Sequence, residues 1–152
     1  MLQTIKDYFL SRLGEAARTA QGAPVASLEL AAAVLMVEIS MADSTRQTEE
    51  LDEIRKILLS EFKLSVTDTE KLLETAETQV DHAVSMHEFT RYLNQTLTGG
   101  ERVRIIELLW RVAFADTILD KYEEYYIRKV ADLLYVSHLD FMKAKHKAGG
   151  IT

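Results

Sequence analysis

The chain has 152 residues, 47% hydrophobic and 28% charged, a composition suited to one folded domain that buries its core without cross-links. It contains no cysteine, which excludes disulfides, thiolate metal ligands and cysteine nucleophiles. Its 18 Lys and Arg against 24 Asp and Glu give a net charge of −6, which disfavours a nucleic-acid partner and suits cations or basic protein surfaces.

With Pro24 as the sole proline, six glycines and no alternating β-branched runs, the sequence predicts an all-α chain of about eight helices in a compact bundle. Leu2, Ile5, Phe9 and Leu13 recur at helical spacing, so residues 1–20 read as an N-terminal amphipathic helix rather than a secretory signal. Gln21 to Pro24 is a linker, and residues 25–148 form the helical domain. Ser27 caps an apolar helix running to about Ala42, with Leu28, Ala31, Leu35 and Ile39 in a buried stripe. Its longest apolar run is broken by Glu38 and too short to span a bilayer, so a cytoplasmic chain is expected.

A polar loop, Asp43 to Gln47, leads to a helix carrying Leu51, Ile54, Ile57, Leu58 and Leu59 and ending near Phe62. Ser65 with Asp68 opens a helix through about His82, and Ser85 with Glu88 forms a capping box ahead of Phe89, Tyr92, Leu93 and Leu97. Thr98-Gly99-Gly100 is expected to stop that helix. Val103, Ile106, Leu109, Trp110 and Ala113 mark the next one. Asp120 with Glu123 opens a helix bearing Ile127, Val130, Leu133 and Leu134, and Ser137 opens the last, which ends before Gly149.

The segment Met41 to Lys56 aligns without a gap on Phe114 to Lys129. Ala42-Asp43, Glu50 and Ile54-Arg55-Lys56 recur identically as Ala115-Asp116, Glu123 and Ile127-Arg128-Lys129. After a one-residue shift, Leu64-Ser65 through Asp68 pairs with Val136-Ser137 through Asp140. A duplicated three-helix unit is therefore expected, with an approximate two-fold axis drawing the two Ala-Asp corners together.

Asp43 and Asp116 each close an apolar helix where negative charge opposes the helix dipole, and Glu50 and Glu123 follow seven residues later at a helix start. Carboxylates converging from loop and helix start supply the oxygens that a hard cation takes. Calcium, magnesium or manganese fits this set best, and zinc, with no cysteine to draw on, fits less well. Acids in a first turn also stabilise a helix without any ion, by about 0.3–1 kcal/mol each.

An EF-hand is excluded: the twelfth positions counted from Asp43 and Asp116 are Ile54 and Ile127, and the sixth are Thr48 and Lys121. His82, His87, His138 and His146 have no zinc-ligand spacing. Trp110, Phe114, Tyr122, Tyr125 and Tyr126 read as an aromatic core seam rather than a ligand cradle, and Lys143, Lys145 and Lys147 as a solvated helix end. No phosphate loop or nucleophile arrangement argues for an enzyme.

With these motifs, and above all Leu108 through Glu123 and Leu133 through Ser137, the chain resembles the tellurite-resistance TerB-like family over about residues 25 to 147. The resemblance implies an all-helical, internally duplicated fold whose acids hold a divalent metal, in stress-response systems that include membrane-associated complexes. Carried onto this chain, it marks Asp43, Glu50, Asp116, Asp120 and Glu123 as metal ligands. Family members often carry Ala-Asp-Gly where this chain has Ser44 and Thr117, so the turn forms without glycine. Gln47 stands where the second copy has Asp120, leaving the first corner poorer in charge. The expectation is a non-enzymatic metal-binding module with a protein partner; the alternative is an interaction scaffold without metal.

Overall fold

The computed structural model describes residues 28–41, 48–80, 85–115 and 121–149. Among them are seven α-helices and no strand: α1 Leu28–Ser40, α2 Thr48–Ser60, α3 Val66–Val80, α4 Ser85–Thr96, α5 Gly99–Ala113, α6 Lys121–Leu133 and α7 His138–Ala148. The all-α expectation holds. The N-terminal helix, the Ser27 cap, the Asp43–Gln47 loop and the Asp120 cap lie outside the described residues.

The duplication is visible in the backbone. α2 and α6 have the same length and begin 73 residues apart, and α1 and α5 end 73 residues apart. Each second helix ends in a left-handed residue, Lys63 at φ 56° and Tyr135 at φ 58°. The following amide closes the turn: Leu64 donates to the carbonyl of Leu58, and Val136 to that of Ala131. The acceptors are equivalent, and the first turn holds one extra residue, which accounts for the one-residue shift. Ser65 and Ser137 then cap α3 and α7, accepting from the amides of Asp68 at 3.0 Å and Asp140 at 3.1 Å.

Within each copy the first helix packs on the third, α1 on α3 and α5 on α7, and α1 and α5 pack together at the centre. α2 rests on both α1 and α5, and α6 on both α5 and α1, so each middle helix touches the first helix of both copies, and α4 bridges α1 and α6. α1 is buried on every side, Glu38 alone being partly open, because its sequence is apolar all round rather than along one stripe. Ser40 fits there by donating to the carbonyl of Val37 at 2.7 Å.

One expected boundary moves. Gly99 and Gly100 open α5 instead of closing α4. Thr98 is the N-cap of α5: its side chain accepts from the Glu101 amide at 3.2 Å, and Glu101 accepts from the Thr98 amide at 2.8 Å. A reciprocal cap outweighs the weak helix propensity of two first-turn glycines.

Candidate metal centre

Glu50 is the third residue of α2 and Glu123 the third of α6. Both are buried, at 0% and 1% exposure. The alternation of each helix explains it: Glu50, Ile54, Ile57 and Leu58 are the buried residues of α2, and Glu123, Ile127, Val130 and Ala131 those of α6. Each glutamate thus heads its helix's core-facing stripe, where a carboxylate requires hydrogen bonds, a proton or a cation.

Two cross-copy contacts fix these helix starts. Tyr126, three residues after Glu123, donates its hydroxyl to Glu38 Oε2 near the end of α1 at 2.7 Å. Arg111 near the end of α5 donates through Nε and Nη2 to Glu53 Oε2, three residues after Glu50, at 3.2 and 2.8 Å. Position 38 corresponds to 111, and 53 to 126, so the two contacts join equivalent positions of the repeat with different chemistry. They bring the starts of α2 and α6 to the ends of α5 and α1, from which the chain continues into Asp116 and Asp43. Asp43, Asp116 and Asp120 themselves lie outside the described residues. Among the described residues no group of three or more His, Asp and Glu is placed to hold a metal.

Burial first, and then the charge and hydrogen bond of Glu38, hold the Tyr126 hydroxyl well above its ordinary range. A folded-state value above the unfolded one means that the contribution to stability is complete below about pH 10 and is lost as pH rises further. Alkaline unfolding monitored by tyrosinate absorbance should therefore show one tyrosine ionising only with the global transition. Tyr126→Phe should remove that late step; a Tyr126→Phe titration identical to the original would contradict the assignment.

A second feature of this pole was not anticipated from sequence. Arg104, Glu107, Arg111 and Phe114 follow one another along one face of α5 and, with Glu53, Ala115, Lys147 and Ala148, line a cleft of about 350 Å³. Arg104 grips both oxygens of Glu61 and donates to Glu107, and Lys147 sits 3.4 Å from Glu107. The spacing i, i+3, i+7, i+10 was the available signal. The charges pair across the cleft, and Glu53 and Glu61 of the first copy are bound there by Arg111 and Arg104 of the second.

The aromatic seam is narrower than expected. Trp110 stacks on Phe114 at 5.6 Å and tilts against Phe141 at 5.3 Å, with Lys145 Nζ 5.2 Å from its ring. Tyr122 and Tyr125 instead face outward. Of the helix-end lysines, Lys145 lies 3.8 Å from Glu124. His138, exposed at the start of α7, has its ring 6.1 Å from that of Phe141.

A family model described as tellurite resistance protein TerB matches residues 29–146, which takes in both copies and every described helix apart from the outermost residues. The search of curated proteins and the search of solved structures each returned no match.

Proposed function

The chain belongs to the tellurite resistance TerB family, and from that premise we propose that it is a non-enzymatic module that binds a divalent metal and acts through a protein partner in a response to chemical stress. The reading is carried by the matched pair of buried acids. Two copies of one unit retain a glutamate at the same inward position, Glu50 and Glu123, at 0% and 1% exposure. Each is preceded in sequence by a corner aspartate, Asp43 or Asp116, with Asp120 added in the second copy. An all-carboxylate donor set suits calcium, magnesium or manganese before zinc. No described helix is long and apolar enough to cross a membrane.

Glu101 supplies the control. It also sits third in its helix and is buried at 4%, and its carboxylate accepts from the Thr98 amide. Calorimetric titration with calcium, magnesium, manganese and zinc should show saturable binding that Glu50→Gln and Glu123→Gln each weaken at least tenfold and the Asp43→Ala/Asp116→Ala pair abolishes. Glu101→Gln should lower the melting temperature while leaving metal affinity unchanged. A flat titration, with no rise in melting temperature on adding metal, removes the metal reading and leaves the scaffold, since a ligand bound only to the native state must stabilise it.

A further inference from the structure

The duplication provides an internal control for the surface. One chain builds the same three-helix unit twice, so a side chain present in one copy and absent from the equivalent exposed place in the other is not required by the fold. In the second copy Tyr122, Tyr125, Tyr135 and Leu139 are 57%, 65%, 81% and 63% exposed. The equivalent residues of the first copy, Glu49, Asp52, Lys63 and Thr67, are all exposed and all polar. Tyr135 sharpens the point. Its left-handed backbone is shared with Lys63 and best suits glycine or asparagine, so a bulky, solvated ring there serves no packing purpose.

Tyr122 and Tyr125 share one face. Positions 122, 125, 129 and 132 follow one another along the outer side of α6; Tyr135 lies in the turn that follows and Leu139 near the start of α7. From position 122 to position 132 that outer side runs about 15 Å at the helical rise. The charge of the two copies differs in the same sense. Residues 48–80 hold nine acids and four bases, whereas residues 121–149 hold six bases and four acids, of which Glu123 is buried. Lys121, Arg128 and Lys129 flank the tyrosines, and Lys121 Nζ lies 5.5 Å from the Tyr122 ring.

We propose that this tyrosine stripe is a docking surface for an acidic polypeptide segment of a partner protein. Tyrosine offers a large apolar ring at low entropic cost together with a hydroxyl, the combination that dominates protein–protein hot spots. The flanking lysines select the sign of the partner, and their field acts over about 8 Å, so the net charge of the whole chain does not cancel it. Asp132 within the face opposes a regularly spaced phosphate backbone, which favours a polypeptide over nucleic acid.

The test is selection of a displayed random-peptide library on the full chain, once with chelator and once with added metal, because this surface is independent of the acidic corners. Selected peptides should be enriched in Asp and Glu, and a synthetic one should bind at least tenfold more weakly to Tyr122→Glu/Tyr125→Asp. That pair installs the residues the first copy carries, so the melting temperature should hold. Lys121→Glu/Lys129→Glu, which changes only exposed charge, should weaken binding as well and serves if the first pair folds poorly. No enrichment, selection of basic or neutral peptides, or binding indifferent to both pairs overturns the proposal. So does tighter binding of single-stranded RNA than of the selected peptides, or sedimentation showing self-association that Tyr122→Glu/Tyr125→Asp abolishes, because the occupant would then be another molecule or a second copy.

Discussion

Trp110→Ala should lower stability by about 4 kcal/mol, the usual cost of emptying a buried aromatic site. For a chain of this size that is a fall of about 10 °C in melting temperature. Trp110 is fully buried and joins α5 to α7 through Phe114 and Phe141. Its Nε1 has no hydrogen-bond partner among the described residues, so no hydrogen bond is lost with it. Trp110→Phe keeps most of the volume and should cost about 1 kcal/mol. Because Trp110 is the only tryptophan, unfolding is best followed by far-ultraviolet circular dichroism in a urea series. A loss below about 1 kcal/mol for the alanine variant would mean that the α5–α7 junction closes over the void, against the rigid seam described above.

The fold was legible because its determinants are local and repeated. Ser65 and Ser137 cap their helices as the sequence pattern requires, and the alignment of Met41–Lys56 on Phe114–Lys129 reproduces the matched bounds of α2 and α6. The misplaced boundary at Gly99 is instructive. Glycine after an apolar periodic run is usually a stop, but Thr98 and Glu101 form a reciprocal cap whose signal lay in the same four residues. The central position of α1 was less legible, since a helix apolar all round records burial without naming its neighbours.

The site was legible only in part. Glu50 and Glu123 stood out through the repeat, and their burial follows from the stripes they share with Ile54 and Ile127. The same reasoning should have separated the tyrosines. Glu123, Ile127, Val130 and Ala131 define the inner face of α6, which leaves Tyr122 and Tyr125 outside and Tyr126 at its edge. Grouping all three as core treated aromatic character as evidence of burial, although position on the helix decides it. The pairing of Arg104 with Glu61 joins residues 43 apart and of different copies, a tertiary fact that no local pattern encodes.

That pairing supplies the other large effect. Arg104→Ala should cost about 3–5 kcal/mol, because it strands Glu61, only 4% exposed, and leaves Glu107, 8% exposed, with Lys147 alone. Burial draws the Arg104 pKa down, but the hydrogen bonds of Glu61 and Glu107 outweigh it and hold the value above the ordinary one. The guanidinium is therefore charged at any working pH, and the penalty should be constant between about pH 6 and 9. Arg55 is the matched comparison. It too contacts two carboxylates, Glu70 at 2.8 Å and Asp52 at 3.1 Å, but its side chain is 40% exposed and theirs 51% and 59%. Arg55→Ala should therefore cost less than about 1 kcal/mol and weaken further with salt. Arg104→Met/Glu61→Leu should recover most of the single-variant loss, since a well-packed apolar pair replaces a buried ionic one at little cost while Lys147 still faces Glu107. Urea denaturation of the four proteins separates burial from the mere number of ion pairs. Equal losses for Arg104→Ala and Arg55→Ala would show that the cleft admits water and that its charges are not desolvated.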